Sequence, residues 1–202
     1  MPIASDDPST GSGWSRARSR DDDAIVVERL STSDYYREVM LTLVRGTMIL
    51  ATVAWAVGEA LMRRSLRCDR WARTAWTIGI TLAAIHVVLA FHFVYAWDHK
   101  AAVAATAQRT VDAVGWGWRG GIYVNYVFLT LWLVDVSWWW AAPASHASRS
   151  TRMENTRRAL FTFMFLNGAV VFASGIGRLV GIASLSLVLL AWLPRKPHTV
   201  PA

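Results

Sequence analysis

The feature that most constrains this chain is a set of long apolar runs separated by short arginine-rich segments. Three of these runs are "VMLTLVRGTMILATVAWAVGEAL" (39–61), "TAWTIGITLAAIHVVLAFHFVYAW" (74–97) and "GIYVNYVFLTLWLVDVSWWWAA" (121–142). A helix rises 1.5 Å per residue, so the first run extends roughly 34 Å, enough to cross a hydrocarbon core of about 30 Å. The last apolar region, 157–193, would be roughly 55 Å long as one helix, far more than a single crossing needs. "SGIGR" at 174–178 interrupts it with two glycines and an arginine, which divides it into shorter spans at about 158–174 and 178–193. The sequence therefore predicts an all-α, multi-pass transmembrane helix bundle with five spans, and four as the alternative.

Residues 1–33 form a polar N-terminal tail rich in Ser, Asp, Arg and Gly. Such a segment cannot bury a core and is expected to be disordered. "STSDYYREVM" offers a helix start, with Ser31 and Asp34 at capping-box spacing. The transmembrane domain covers 34–193, and 194–202 is a C-terminal tail. Between the second and third spans, "KAAVAATAQRTVDAV" places Val103, Ala107, Val111 and Val114 on one helical face. It reads as a short interfacial helix, or as an ordinary ordered loop. The first residues lack the apolar centre of a secretory signal peptide. Cys68 is the sole cysteine, which excludes an intrachain disulfide.

The net charge of +7 raises nucleic acid as a partner, but the basic residues cluster between apolar runs, the pattern of membrane orientation. Nucleic acid is therefore not expected, and the lipid bilayer is. The 62–73 segment carries Arg63, Arg64, Arg67, Arg70 and Arg73; 143–157 carries Arg149, Arg152 and Arg157; the tail carries Arg195 and Lys196. Five spans with the N-terminus outside and the C-terminus cytoplasmic put all three on the cytoplasmic side. Trp71, Trp76, Trp138, Trp139, Trp140 and Trp192 would form an inner aromatic belt, and Trp97, Trp116 and Trp118 an outer one. Only Lys100 and Lys196 are lysines among 21 basic residues. This arginine bias suggests a bacterial source, hence the bacterial cytoplasmic membrane.

Ionisable groups inside a span cost about 2.5–3.5 kcal/mol near its centre on insertion scales, so each needs a reason. Counting from the span ends gives an outer polar layer of Arg45, His92 and Asn125, with Tyr123 near it. The inner layer is His86, Asp135 and Asn167. These groups would relay protons or line a solute path, or they would serve as interhelical hydrogen bonds that fix packing. Arg45 either snorkels to the interface or pairs with Asp98 or Asp112. Glu59, beside Arg63, is expected to be a solvated rim residue.

The histidines of "HVVLAFHFVYAWDHK" (86–100) invite a metal or haem reading. On one continuous helix, His86 and His92 lie about 120° and roughly 9 Å apart, and His92 and His99 some 10.5 Å apart. Neither pair chelates one metal ion, which takes nitrogens at about 2 Å. No cofactor is therefore predicted. Haem remains a minor alternative that would need a second ligand from a dimer, or from Asp135 or Tyr126. "GWGWRGG" (115–121) reads as a turn presenting Trp116 and Trp118, and Gly177 and Gly181 form a GxxxG packing signal. No nucleophile–base pair, HExxH or phosphate-cradling loop is present, so the reading leans away from an enzyme. The expected function is a non-catalytic structural or accessory membrane component, with other membrane subunits or self-association as partners. The rivals are an oligomeric transporter of protons or a small solute, and a haem- or quinone-binding redox subunit.

Overall fold

The computed structural model describes residues 12–62 and 69–193. The expected tail residues before Ser12, the basic segment with Arg63, Arg64, Arg67 and Cys68, and the C-terminal tail lie outside the described residues. The chain divides into two units, Met1–Thr42 and Leu43–Ala202. In the first, the backbone is helical from Ser12, well ahead of the start expected at Ser31. Tyr35 and Tyr36 are exposed there, packed edge to face.

The second unit is all helical among the described residues. Its elements are the end of α1 (Ser12–Met62), α2 (Asp69–Phe93), α3 (His99–Val114), α4 (Gly121–Ala141), α5 (Pro143–Ala147), α6 (Thr151–Leu166) and α7 (Gly175–Trp192). A π-turn, Asn167–Val171, continues α6. Four helices are long and apolar enough to cross a membrane: Asp34–Met62, α2, α4 and α7. Their outward faces carry Leu50, Ile78, Val88, Leu131, Leu133, Leu179 and Leu190, all exposed. Large apolar side chains on the outside as well as the inside suit a hydrocarbon solvent, not water. The chain is an all-α, multi-pass helix bundle.

The register follows from close contacts. His86 of α2 reaches Val44 of α1, and Gly58 of α1 faces Trp76, so α1 and α2 are antiparallel. Trp76 meets Asp135, and Arg73 meets the Trp139 carbonyl, which sets α4 antiparallel to α2. Glu59 pairs with Arg157, Trp55 stacks on Phe165, and Gly168 lies against Met48, so α6 returns alongside α1. Finally Gly181 touches Ala169 while Arg158 lies over Trp192, bringing α7 back along α6. Five helices thus traverse the bundle in alternating directions. The expected span 158–174 is the one that falls outside the four apolar helices. It passes through the bundle as α6 and the π-turn, but its first turns carry Glu154, Arg157 and Arg158.

Each interruption has a local cause. The second expected span was to reach Trp97, yet α2 stops at Phe93. Ala96 (φ 48°) and Trp97 (φ 61°) adopt left-handed backbone there, and the Trp97 amide turns back to the Phe91 carbonyl at 2.9 Å. Left-handed residues end a helix, and few non-glycine residues tolerate them. Asp98 then caps α3 by accepting bonds from the amides of Lys100 and Ala101. Between α6 and α7 the chain turns at 172–174, where Arg178 Nε donates to the Ala173 carbonyl at 2.9 Å. A Cβ on Gly181 would stand 2.1 Å from the Ala169 oxygen, so this glycine is what lets α7 touch the backbone of the π-turn.

The core is aromatic. Trp55, Trp76, Trp132, Phe161 and Phe165 are all at most 1% exposed, joined by Phe128. Trp55 stacks on Phe165 at 4.2 Å between centroids, and Trp76 on Phe161 at 4.9 Å. Trp132 meets Trp76, Phe161 and Phe165 edge-on. Gly79 leaves the space that the Trp132 ring occupies, since a Cβ there would come within 2.6 Å of it. The expected inner belt is corrected here: Trp76 and Trp139 point into the core, whereas Trp71 and Trp140 are exposed.

Candidate functional site

The largest concentration of polar chemistry lies at the end of the bundle where α1 finishes, α6 begins and α5 packs on α4. Helix α6 starts at Ser150, whose side chain accepts from the Met153 amide. Helical spacing then puts Glu154 beside Arg157 and Arg158, the i,i+3 and i,i+4 neighbours that share a helix face. Arg157 turns inward to pair with Glu59, and its guanidinium lies 4.9 Å from the Trp76 ring centroid. Glu59 is 1% exposed and Arg157 8%. The expectation of a solvated Glu59 is therefore wrong. Its position near a span end suggested water, but the charged turn of α6 folds over it.

From Glu154 the network continues to Arg149, which donates to Glu154 and also lies 3.7 Å from Asp135. Asp135 accepts from the Trp76 indole at 3.0 Å and from His146 Nε2 at 3.2 Å. His146 is buried, stacked on Trp139 with centroids 4.7 Å apart, and in contact with Arg149. Carboxylates of Glu59, Glu154 and Asp135 thus interleave with guanidiniums of Arg149, Arg157 and Arg158. Burial works against a charged Glu154. The hydrogen bond and charge of Arg157, with Arg149 and Arg158, outweigh it and hold the carboxyl at about 2. Burial likewise opposes the charge on Arg157, but Glu59 and Glu154 raise its pKa and keep it cationic. The arrangement ties α1, α2, α4, α5 and α6 together at one end.

The polar residues singled out in the sequence do not assemble into the two expected layers. His86 Nδ1 bonds the Val44 carbonyl at 2.8 Å, an α2–α1 link near the other end. Asn167 spends its amide on the Phe163 carbonyl of its own helix, at 2.7 Å. Asp135 belongs to the charged network. On α2, His86 stands ten residues from the Trp76 that binds Asp135, roughly 15 Å of helix. Arg45, His92 and Asn125 are exposed. His92 accepts from the Trp97 indole at 3.3 Å, and no carboxylate lies within 4 Å of Arg45 among the described residues. Both partners suggested for Arg45 are engaged elsewhere, Asp98 at the α3 cap and Asp112 with Gln108.

What sequence reasoning missed at this second end is a cluster on His99. Its ring nitrogens lie 3.4 Å from the Tyr123 hydroxyl and 3.3 Å from that of Tyr126. The tyrosines' i,i+3 spacing on α4 was the available signal. The turn at 94–98, which brings His99 onto a separate helix, had none beyond Asp98 as a cap. Among the described residues no group of three or more His, Cys, Asp or Glu side chains is placed to hold a metal ion. Compared with protein-family models, with curated proteins and with solved structures, the chain matches none.

Proposed function

We propose that this chain is a non-catalytic component of a lipid bilayer, a structural or accessory subunit that acts through its surfaces. The observation that carries this reading is the aromatic plug between the two polar ends. Trp55, Trp132, Phe161 and Phe165 fill the level that separates Asp135 from His86. A proton relay or solute path needs polar groups that hand over from one to the next. Here the buried charges at one end are paired among themselves, and His86 is bonded to backbone. Interhelical pairing that fixes packing accounts for both.

Five crossings, with the N-terminus outside and the C-terminus in the cytoplasm, fit this reading. The alternating helix order supports it, because the basic segments 62–73 and 143–157 and the C-terminal tail then share one face. A bacterial cytoplasmic membrane is the setting that the arginine-rich composition favours. With that orientation, Cys68 resists an impermeant thiol reagent in intact cells, and labelling there reverses it.

The test of function uses purified protein in proteoliposomes containing a pH-sensitive dye. Wild type, His86→Ala and Asp135→Asn are all expected to leak no faster than empty vesicles. A wild-type flux abolished by either substitution in a folded protein would replace this reading with transport. A Soret band in the purified protein would replace it with haem binding.

A further inference from the structure

The end of the bundle opposite the charged network carries a hollow of about 460 Å³, lined by His99, Lys100, Val103, Arg119, Gly120 and Tyr123. Three of these bear cationic or protonatable heads, one a phenol, and none is acidic. Asp98, adjacent to this lining in the chain, is turned to the amides of Lys100 and Ala101 as the cap of α3. Neither Lys100 nor Arg119 has a carboxylate within 4 Å among the described residues. This differs from the other end, where every guanidinium of the network meets an acid.

The floor of the hollow adds to its positive character. Helix α4 starts after Gly120, which lines the hollow and carries no side-chain cap, so the positive end of the helix dipole lies at its edge. The Trp118 ring lies against Gly120, at 2.4 Å from where a Cβ would be, so a glycine is what lets the ring close on this edge. Tyr123 is tethered through His99, and both line the hollow together with Lys100 and Arg119. Lysine, arginine and a phenol lining one space beside an uncapped helix start are suited to the several acceptor oxygens of a phosphate. Exposed Trp97, Trp116 and Trp118 surround this end, as side chains do at the depth of lipid headgroups.

We propose that this hollow binds the phosphate of a net-anionic ligand, either an anionic phospholipid headgroup or a soluble phosphate. Phosphate binding here is independent of the structural role above, and a protein without transport activity can have it. Lys100 and Arg119 supply the charge, Tyr123 a hydroxyl donor, and the start of α4 the positive end of its dipole.

The test is native mass spectrometry of the full chain in detergent, titrated separately with phosphatidylglycerol, phosphatidylcholine and inorganic phosphate. Wild type is expected to hold one phosphatidylglycerol at least about tenfold more tightly than phosphatidylcholine. Lys100→Gln with Arg119→Gln abolishes the preference, Lys100→Arg keeps it, and Arg152→Gln at the other end leaves it intact. Inorganic phosphate that binds alone and displaces the lipid identifies a soluble phosphate as the ligand; lipid retention against phosphate identifies the headgroup. The proposal is overturned if the double variant matches wild type for both lipid and phosphate, or if Arg152→Gln costs as much. Unchanged thermal unfolding of the variants separates lost binding from lost folding.

Discussion

The two ends of this bundle solve the problem of charge in opposite ways. At one end Glu59, Arg157, Glu154, Arg149 and Asp135 are drawn into the protein and neutralise one another. At the other, Lys100 and Arg119 stay at the surface with no carboxylate within 4 Å among the described residues, and the helices meet through small residues instead, Gly181 on Ala169 and Gly177 near Ile49. Buried pairs hold helices in one arrangement but punish the loss of a partner. Exposed cations contribute little to stability and stay free for a ligand. The paired end holds the helices in place, and the other end is open to recognition.

The largest expected effect comes from breaking the buried pair. Arg157→Ala strands Glu59, and should cost about 3–5 kcal/mol in a reversible unfolding assay in detergent. Replacing both as Glu59→Leu with Arg157→Met should recover most of that loss, since the remaining neighbours then face no unpaired charge. A single variant as stable as wild type would show that the pair is not what closes this end.

At the opposite end, Gly181→Val pushes side-chain carbons into the Ala169 carbonyl. We expect a loss of about 1–3 kcal/mol in the same assay, because backbone has to move. Gly46, with nothing within 4 Å of its Cβ position, is the control: Gly46→Ala should be neutral or stabilising by up to about 1 kcal/mol.

Asp135→Asn keeps an acceptor for the Trp76 indole but removes the charge that faces His146 and Arg149. A loss of about 1 kcal/mol is expected, and pairing it with His146→Ala in a double-mutant cycle measures the coupling. Acid tests the same end. Glu154 is held at about 2 against an ordinary 4.5, so its folded pKa is depressed. The stability it contributes is complete above about pH 4.5 and is lost as the pH falls toward 2. Glu154→Gln should flatten that part of the stability profile; an unchanged slope would place the acid sensitivity elsewhere. Least of all, Lys100→Gln and Arg119→Gln should each alter stability by under about 0.5 kcal/mol, as substitutions of exposed cations do.

The apolar runs made the fold class legible, because helix length, apolar composition and intervening arginines are properties of local sequence. The break near "SGIGR" was legible for the same reason, as glycines and an arginine punctuate an apolar stretch. Even the i,i+3 and i,i+4 pairs of Glu154 could be read from spacing alone. Other elements were not open to such reading. The end of α2 depends on left-handed backbone at Ala96 and Trp97, which neither residue type announces. His99 therefore sits on a different helix from His86 and His92, and counting angles along one helix gave it the wrong company.

By itself the sequence determined that the chain makes apolar helices, and which polar residues they carry. Tertiary structure alone decided where those residues went. Glu59 and Arg157 are ninety-eight positions apart, and depth counting assigned Glu59 to water. Its burial follows from α6 returning antiparallel to α1 with its charged turn facing inward. Lys100 and Arg119 come together because α3 folds back on α4. A side chain's depth along its own helix is a local quantity, but its partner is set by the register between helices, and that register comes from aromatic and glycine packing across the bundle.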